Sequence, residues 1–379
     1  MRKARRTSFS SDQALIRMTR KRVDRRTFLK LSGAAITAPG IAACAGTNKV
    51  PTEGVPRSRF DDESTAEEVT AGIELGGKIA VVTGCTSGIG YETMRVLARR
   101  GAYVVGTGRT LDKARAACSS VIGKTTPVAL ELSDFDSVVA CAEAIRSMHA
   151  PIDILICNAG YLGAGDDTEV INGIEKHFIV NHLGHFVFVN RLLDRLFFAW
   201  QGRIVVVASR AAYTNAPAAG IDFDNLDGRY AYKGRSAYGQ SKLPNVLFGL
   251  QLGKLLRGTR ITANSLHPGV INTEIDRNLN RFMQLGFAVM TSLGGGKTVQ
   301  QGAATSCYVA TSPLLGSTSG KYFEDCNAVT VLGNSHMQDE AMAERLWQVS
   351  TELCKDFLVE HEQPNRDNFE KGLRNSNGG

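Results

Sequence analysis

A short apolar strand, a glycine-rich turn and an amphipathic helix follow one another between residues 78 and 100. This order most restricts the folds open to the chain. Lys78-Ile-Ala-Val-Val82 has the continuous apolar pattern of a strand buried on both faces, and the helical pattern from Tyr91 to Arg100 begins directly after the turn. Because strands and helices go on alternating, we expect an α/β fold with a single doubly wound parallel sheet and helices on both faces.

The turn has the residues that a dinucleotide site needs. Gly84 permits a tight turn, Gly88 lets the backbone approach a pyrophosphate, and Gly90 permits close contact between helix and sheet. The N–H groups of the first helical turn, next to Ser87 and Ile89, lack helical partners and attract phosphate. A glycine-rich turn alone also fits a purely structural role, so this assignment depends on the neighbouring motifs.

The residue after the second predicted strand indicates which dinucleotide would bind. This strand runs from Tyr103 to Thr107 and is followed by Gly108-Arg109, nineteen residues past Gly90. An NAD site usually has an acidic residue near this distance, where it bonds the ribose. The Arg109 guanidinium would instead bind the 2′-phosphate of NADP, which favours NADP over NAD. A solvated surface arginine is the alternative.

A candidate acid/base pair lies in Tyr238-Gly-Gln-Ser-Lys242. Positions i and i+4 of a helix are neighbours, so the Lys242 ammonium would lie beside the Tyr238 ring. A fixed positive charge at that distance lowers a tyrosine pKa from about 10 by roughly a unit or more. Tyr238 could then exchange a proton with an alcohol or a carbonyl. Since this spacing also arises by chance, an ordinary amphipathic helix is the alternative.

Taken in order, these motifs resemble the short-chain dehydrogenase/reductase family. The family pattern is Thr-Gly-x-x-x-Gly-x-Gly, then Asn-Ala-Gly, Ser and Tyr-x-x-x-Lys, and it appears here at residues 83–90, 158–160, 209 and 238–242. The resemblance covers about residues 64–358. It implies a Rossmann fold and an NAD(P)-dependent oxidoreductase that acts on CH–OH or C=O groups.

The resemblance also assigns four catalytic residues. Ser209 would hydrogen-bond the substrate oxygen, and Tyr238 would donate or accept its proton. Lys242 would both tune Tyr238 and hold the nicotinamide ribose. Asn181 matches the position that completes the family's proton relay through a bound water.

Further cofactor contacts implied by the resemblance come from the ends of other strands. They are Glu131, Leu132, Asn158, Ala159, Gly160, Pro268, Gly269, Val270 and Thr273. The segment from Asn158 would line the adenine and ribose side, and the segment from Pro268 would hold the carboxamide. Glu131 departs from the usual Asp, so its longer side chain must place the carboxylate differently. Cys157 and Ala208 replace a common Asn and Ser without removing a catalytic group.

Four features together narrow the resemblance to the retinol-dehydrogenase-like and WW-domain-oxidoreductase-like branch. They are Ser-Thr-Ala-Glu-Glu-Val at 64–69, Asn-His-Leu-Gly-His-Phe at 181–186, a long insert between Ser209 and Tyr238, and Gly-Lys-Tyr-Phe-Glu-Asp-Cys at 320–326 ahead of Leu346-Trp347. This branch implies an apolar or lipid-like substrate. Residues 210–237 and 274–296 would line its pocket, and neither segment identifies the substrate.

The positive charge is concentrated at the N-terminus. Residues 1–30 contain 11 Lys or Arg and only Asp12 and Asp24, whereas the remainder has 33 basic and 35 acidic residues. A near-neutral globular part without an aromatic and basic strand pattern disfavours a nucleic-acid surface. A small-molecule alcohol or carbonyl is the expected partner, and a homo-oligomer is allowed.

The basic segment resembles a twin-arginine export signal. Asp24-Arg-Arg-Thr-Phe-Leu-Lys30 precedes an apolar, small-residue stretch that ends in Ile41-Ala-Ala-Cys44, which is similar to a lipobox. Cys44 would then be lipidated, which predicts an exported lipoprotein on the periplasmic face. A disordered extension of a cytoplasmic protein is the alternative, and Met18 is a second candidate start.

The predicted organisation is therefore a signal at 1–44, a linker at 45–75, a Rossmann-type domain at 76–358 and a polar tail at 359–379. Neither Cys-x-x-Cys nor a histidine cluster at metal spacing occurs, so we expect no metal. Apart from Cys44, the cysteines are expected to be buried thiols. The sequence predicts an NADP-dependent oxidoreductase, and the alternative is a catalytically idle NADP-binding lipoprotein that acts as a redox sensor or scaffold.

Overall fold

The computed structural model describes residues 49–163, 168–230, 233–271, 296–333 and 335–359. Nine strands of this part form one sheet, and two short strands pair as a separate hairpin. The strands are β1 Lys49–Pro51, β2 Ile79–Val82, β3 Tyr103–Gly108, β4 Lys124–Ala129, β5 Ile154–Cys157, β6 Val170–Ile171, β7 Ile174–Glu175, β8 Gly202–Val207, β9 Ile261–His267, β10 Tyr322–Glu324 and β11 Asn327–Val331.

The order of strands in the sheet is β1-β11-β10-β9-β8-β5-β2-β3-β4. The seven strands from β10 to β4 run parallel, β11 runs antiparallel to β10, and β1 runs antiparallel to β11. The chain moves outward from β2 through β3 to β4 and then returns to place β5 on the other side of β2. Open parallel sheets bind ligands at such a reversal, beyond the carboxyl ends of the strands.

Ten α-helical segments occur in the described part of the chain. They are α1 Ala66–Val69, α2 Gly88–Arg99, α3 Leu111–Ser119, α4 Phe135–Arg146, α5 Lys176–Phe178, α6 Gly184–Phe197, α7 Ala211–Thr214, α8 Gly234–Leu255, α9 Val299–Thr311 and α10 Glu340–Cys354. A π-helical turn, Ile179–Leu183, joins α5 to α6, and 3₁₀ turns cover Pro313–Leu315 and Lys355–Phe357.

Helices cover both faces of the sheet, which confirms the doubly wound α/β prediction. Successive side chains of β2 point to opposite faces: Val81 lies in one hydrophobic cluster with α4, α6, α8 and α10, and Val82 lies in another with α1, α2, α3 and α9. Since both faces of the central strands are buried, their sequences are continuously apolar. None of the helices in the described ranges is long and apolar enough to cross a membrane.

The predicted domain boundary at Gly76 lies too late in the chain. Within the expected linker, Lys49–Pro51 is the outermost strand of the sheet, and Ala66–Val69 is a helix that begins at Thr65 with a capping box. Val69 is buried against α2 and α9. The folded unit therefore includes the segment before Gly76, because its apolar and hydrogen-bonding groups complete the sheet edge and the core. The predicted signal at 1–44 and the tail beyond 359 lie outside the described residues.

Candidate active site

The glycine turn packs directly against the end of the neighbouring strand β5. Gly84 has a φ of +72°, and a Cβ there would lie 2.9 Å from the Cα of Ala159. A Cβ on Gly90 would lie 2.3 Å from both Asn158 Nδ2 and the Gly84 carbonyl oxygen. Only glycine fits these two positions without displacing backbone. Gly84 and Gly90 are thus both in close contact with neighbouring backbone or side-chain atoms.

Thr83 fastens this turn to the Asn158 segment. Its Oγ1 accepts hydrogen bonds from the backbone N–H groups of Asn158 and Ala159, both at 2.9 Å. Asn158 Nδ2 donates in return to the Thr83 carbonyl oxygen at 2.8 Å. The carboxyl ends of β2 and β5 are therefore locked together at the point where the strand order reverses.

The N-terminus of α2 directly follows the glycine turn and has no side-chain cap. Its preceding residue, Ser87, makes no capping hydrogen bond with its side chain. Side chains cap the starts of α1, α3, α4, α9 and α10, whereas α6, α7 and α8 share the lack of such a bond with α2. The first N–H groups of α2, from Gly88 and Ile89 onward, thus receive no bond from that side chain, and a phosphate is the ligand that such groups favour.

Arg109 and Glu131 lie on the adenine side implied by the resemblance. Arg109 is exposed and directly follows β3. The Glu131 carboxylate accepts hydrogen bonds from the Ser133 N–H at 3.0 Å and the Ser133 hydroxyl at 2.6 Å. It is therefore engaged by its own loop, and Leu132, which is buried, follows it.

Asn181 lies in the π-helical turn and is completely buried. Its Oδ1 accepts from the Tyr161 N–H at 2.7 Å, and its Nδ2 donates to the Tyr161 carbonyl oxygen at 3.0 Å and to Ser241 Oγ at 2.8 Å. The Ser241 hydroxyl donates to the Tyr238 carbonyl oxygen at 2.8 Å. Asn181 thereby joins the loop after β5 to the helix that carries Tyr238. π-Helical turns are frequently found at functional sites.

Lys242 and Tyr238 share one face of α8, as their spacing predicts. The Lys242 ammonium lies 5.7 Å from the centroid of the Tyr238 ring. Lys242 Nζ donates to the Val207 carbonyl oxygen at 3.3 Å, two residues before Ser209 at the end of β8. The ammonium thus links the helix of Tyr238 to the strand that precedes Ser209. Burial lowers the pKa of Lys242 to about 8.

The motif histidines beside Asn181 are buried and held neutral. Burial lowers the pKa of His182 to about 3 and that of His185 to about 4. His185 Nε2 lies 2.9 Å from Thr83 Oγ1, and His182 Nε2 lies 2.8 Å from Ser350 Oγ. Both imidazole rings are therefore in hydrogen-bond contact with hydroxyl groups of the protein itself.

The segment after β9 also lies at the carboxyl ends of the parallel strands. His267, at the end of β9, accepts a hydrogen bond from the Arg210 N–H at 3.4 Å through Nδ1. Gly269 has a φ of +104°, and a Cβ there would lie 2.5 Å from Lys297 Cδ. Val270 accepts from the Lys297 N–H at 2.9 Å. Pro268, Gly269 and Val270 thus follow the carboxyl end of β9. They lie at the edge of the sheet formed by the carboxyl ends of the parallel strands, here called the catalytic edge. Thr273 lies outside the described residues.

A buried carboxylate–imidazole pair was missed from the sequence. His177 Nδ1 lies 2.6 Å from Glu175 Oε1, and the Gly163 N–H donates to His177 Nε2 at 2.9 Å. The His177 ring lies 4.9 Å from that of Tyr161 and 6.0 Å from that of Tyr238. A spacing of two residues on a short turn carries no recognisable sequence signal, so only the fold reveals this pair.

The described residues contain no group of three or more His, Cys, Asp or Glu side chains that could hold a metal ion. Their seven cysteines are free and buried, as the sequence predicts. Burial raises the pKa values of these thiols. The thiolate form, which is the nucleophile, is therefore disfavoured.

Known proteins are similar in sequence to most of this chain. The profile of the short chain dehydrogenase family matches residues 78–221. Short-chain dehydrogenase TIC 32 A, chloroplastic, from Brassica napus is 38% identical over 79% of this chain and 95% of its own length. Retinol dehydrogenase 12 from Mus musculus is 39% identical over 75% and 88%, respectively.

Two further proteins are similar to three quarters or more of the chain. WW domain-containing oxidoreductase from Gallus gallus is 35% identical over 81% of this chain and 75% of its own length. A crystal structure of an uncharacterized Mycobacterium paratuberculosis protein superposes with a TM-score of 0.59, at 29% identity over 77% of this chain and 98% of that one. With the fold and the motif positions described above, these similarities show that the chain belongs to the short-chain dehydrogenase/reductase family of oxidoreductases.

Proposed function

We propose that the protein is an NADP-dependent oxidoreductase that interconverts an alcohol and a carbonyl, with Tyr238 as the acid/base. The observation that carries this proposal is the network at the catalytic edge. Lys242 lies beside the Tyr238 ring and bonds the strand end before Ser209, while Asn181 reaches the same helix through Ser241. Asn181, Ser209 and the Tyr238–Lys242 pair come from three separate parts of the chain, the π-helical turn, the end of β8 and α8, which the fold brings to one edge of the sheet.

The residues at this edge fit a dinucleotide. The glycine turn leaves no room for a Cβ at Gly84 or Gly90, and the open N-terminus of α2 offers N–H groups to a pyrophosphate. Exposed Arg109 follows β3, where a guanidinium suits the 2′-phosphate of NADP. Leu132, Asn158 and the strand ends near Gly160 and Val270 would hold the rest. When bound, the nicotinamide would exchange a hydride with the substrate carbon.

The chain's own groups would move the proton and hold the substrate. Ser209 Oγ would hydrogen-bond the reacting oxygen, and the Tyr238 hydroxyl would donate to that oxygen or accept from it. The Lys242 ammonium would stabilise the negative charge that develops when Tyr238 gives up its proton. Asn181 would keep the backbone of the Tyr161 loop and the Ser241 hydroxyl in place. General acid–base catalysis of this kind contributes about 10²–10⁴-fold in rate.

An apolar substrate is the class that the relatives favour, because retinol dehydrogenase 12 is among the proteins of highest identity. We further propose that the protein is exported as a lipoprotein anchored at Cys44. This part rests on the order of the paired arginines, the apolar stretch and the lipobox-like end. Lipidation at Cys44 would leave four residues between the anchor and the first residue of β1.

The test is NADPH consumption by the purified full chain with a panel of apolar aldehydes and ketones. Tyr238→Phe should lower turnover by at least about 10²-fold, while NADPH affinity, measured by fluorescence titration, stays within about threefold. Tyr103→Phe is the matched control, since Tyr103 is the first residue of β3, at the amino ends of the parallel strands, where its hydroxyl lies 2.6 Å from Thr126 Oγ1. NADPH binding without Tyr238-dependent turnover would favour the idle redox sensor or scaffold instead.

A further inference from the structure

Glu324 is a charged side chain that the catalytic roles above leave unused. It ends β10, is 2% exposed, and its two carboxylate oxygens contact four donors. Oε2 lies 2.6 Å from Lys49 Nζ and 3.4 Å from Arg210 Nε. Oε1 accepts from the hydroxyl groups of Tyr213 at 2.8 Å and Tyr322 at 3.1 Å. A buried carboxylate is tolerated only when its oxygens are paired in this way.

The charge state of Glu324 follows from these partners. Burial raises the pKa of a carboxyl group, but the bonds from Lys49 and Tyr213 and the nearby charge of Arg210 outweigh burial here. The pKa of Glu324 therefore lies below its usual value. At neutral pH the group is an anion that attracts two cations from distant parts of the chain, one of them in the N-terminal strand.

Two of the four partners belong to the segment that connects Ser209 to the helix of Tyr238. Arg210 directly follows Ser209, and Tyr213 lies in α7. The end of this segment is wedged against α8, because a Cβ on Gly239 would lie 2.3 Å from the carbonyl carbon of Asn215. Displacement of Arg210 or Tyr213 would therefore move the backbone of Ser209, which directly precedes Arg210. It would also move Asn215 against Gly239, the residue that follows Tyr238.

Lys49 brings the N-terminal strand into this arrangement. Strand β1 pairs with β11 in the register Lys49↔Val331 and Pro51↔Val329. In the sheet, β11 and β10 lie between β1 and β9. The Lys49 side chain reaches across β11 to Glu324, over a separation of 275 residues in sequence. This strand lies well outside residues 78–221, which match the family profile.

We propose that Glu324 is a positioning residue for Ser209 and that Lys49, through Glu324, makes the N-terminal strand part of the catalytic apparatus. This inference rests on the proposed function, in which Ser209 binds the reacting oxygen. When the Lys49 ammonium is removed, the Glu324 carboxylate loses its shortest contact and can shift. Its hydrogen bonds with Arg210 and Tyr213 then shift with it. Misplacement of a catalytic group by about 1 Å can cost about 10²-fold in rate.

The experiment compares Lys49→Met, Lys49→Arg and Glu324→Gln in the full chain. Lys78→Met is the matched control, because Lys78 also bonds a buried carboxylate, Asp153, at 2.9 Å. This pair lies just ahead of β2, at the amino ends of the parallel strands and away from the catalytic edge. Amide hydrogen exchange by mass spectrometry is measured for the peptide that spans residues 208–216, with the central strands as reference. Steady-state kinetics with the best carbonyl of the panel give kcat and KM separately.

We expect Lys49→Met and Glu324→Gln to speed exchange in residues 208–216 and to lower kcat by about 10- to 100-fold with little change in KM. Lys49→Arg should restore both properties, and Lys78→Met should alter neither. Unchanged exchange in Lys49→Met, an equal increase across the whole sheet, or an unchanged kcat would overturn the proposal. If Glu324→Gln does not fold, Lys49→Met decides alone, since Lys49 is partly exposed on an edge strand. Failure of the proposed function would be seen separately, in the first experiment, as NADPH binding without turnover that depends on Tyr238.

Discussion

The Lys242 ammonium lies 5.7 Å from the centroid of the Tyr238 ring and donates to the Val207 carbonyl oxygen at 3.3 Å. One cation thus contacts the backbone that leads to Ser209 and faces the candidate acid/base. Because the side chain is buried, its charge is little screened by solvent or salt. This relationship gives Lys242 two separable effects, one on chemistry and one on the stability of the fold.

The stability effect predicts a particular dependence on pH. Burial lowers the pKa of Lys242 from its ordinary 10.5 to about 8. Between these values the unfolded chain keeps a proton that the folded chain has released, so the free energy of unfolding contributed by Lys242 rises with pH. Below pH 8 both states carry the proton, and the buried charge is least favourable. The difference in the free energy of unfolding between the native protein and Lys242→Met should therefore shift in favour of the native protein by about 2 kcal/mol between pH 8 and 10.

Chemical denaturation of both proteins at several pH values measures this difference. Lys254→Met provides the control, because Lys254 lies on the same helix but is 42% exposed in its side chain. Its unfolding free energy should stay parallel to that of the native protein. Parallel curves for Lys242→Met as well would mean that Lys242 keeps its ordinary proton affinity in the folded state.

Arg109→Asp should reverse the preference between the two dinucleotides. Loss of a charge-assisted contact costs about 1.5–3 kcal/mol, so NADPH should bind roughly 10- to 100-fold more weakly while NADH binding is retained or improved. Fluorescence titration with each nucleotide measures the two affinities. Arg115→Asp is the comparison, since this arginine is also exposed on the neighbouring helix α3 and is paired with Asp112. Equal losses for NADPH and NADH would refute the 2′-phosphate assignment.

Gly90→Ala should damage the turn itself. The added Cβ would lie 2.3 Å from the Gly84 carbonyl oxygen and from Asn158 Nδ2, so backbone has to shift. Such overpacking typically costs about 1–3 kcal/mol of stability, and NADPH binding should fall with it. Gly76→Ala is the matched change, because no atom lies within 4 Å of a Cβ built there. Thermal denaturation with and without NADPH compares the two, and equal behaviour would contradict the close approach.

Asn181→Ala should destabilise the fold and not only slow the reaction. The change removes three hydrogen bonds and leaves the N–H and carbonyl groups of Tyr161 without their buried partner. An unpaired buried polar group costs about 1–3 kcal/mol, so the free energy of unfolding should fall by roughly 2–5 kcal/mol. Asn190→Ala, at a half-buried position on α6, should cost less than about 1 kcal/mol. Urea denaturation gives both values, and similar small losses would show that the Asn181 network is dispensable for folding.

The sequence was most informative where function requires a local pattern. The turn from Thr83 to Gly90 and the Tyr238–Lys242 pair are specified by neighbouring residues, so their geometry follows from helix and turn rules. The same reasoning identified the α/β sheet from its apolar strands. In the structure the helix that carries this pair begins four residues ahead of Tyr238, at Gly234.

Long-range pairings were not accessible in this way. Lys49 and Glu324 are 275 residues apart in sequence, and only the sheet order brings β1 next to β11 and hence near β10. A three-residue strand has too few positions to show an alternating pattern. The segment before Gly76 was therefore interpreted as a linker, although it completes one edge of the sheet.

The two edge strands also bear on how copies of the molecule can meet. The outermost strands, β1 and β4, contain Pro51 and Pro127 respectively, and each begins with a lysine. A proline has no N–H to offer to an incoming strand, and a lysine would bring charge into the new interface. Edge-to-edge aggregation by continuation of the sheet is thus opposed at both outer strands of the described residues.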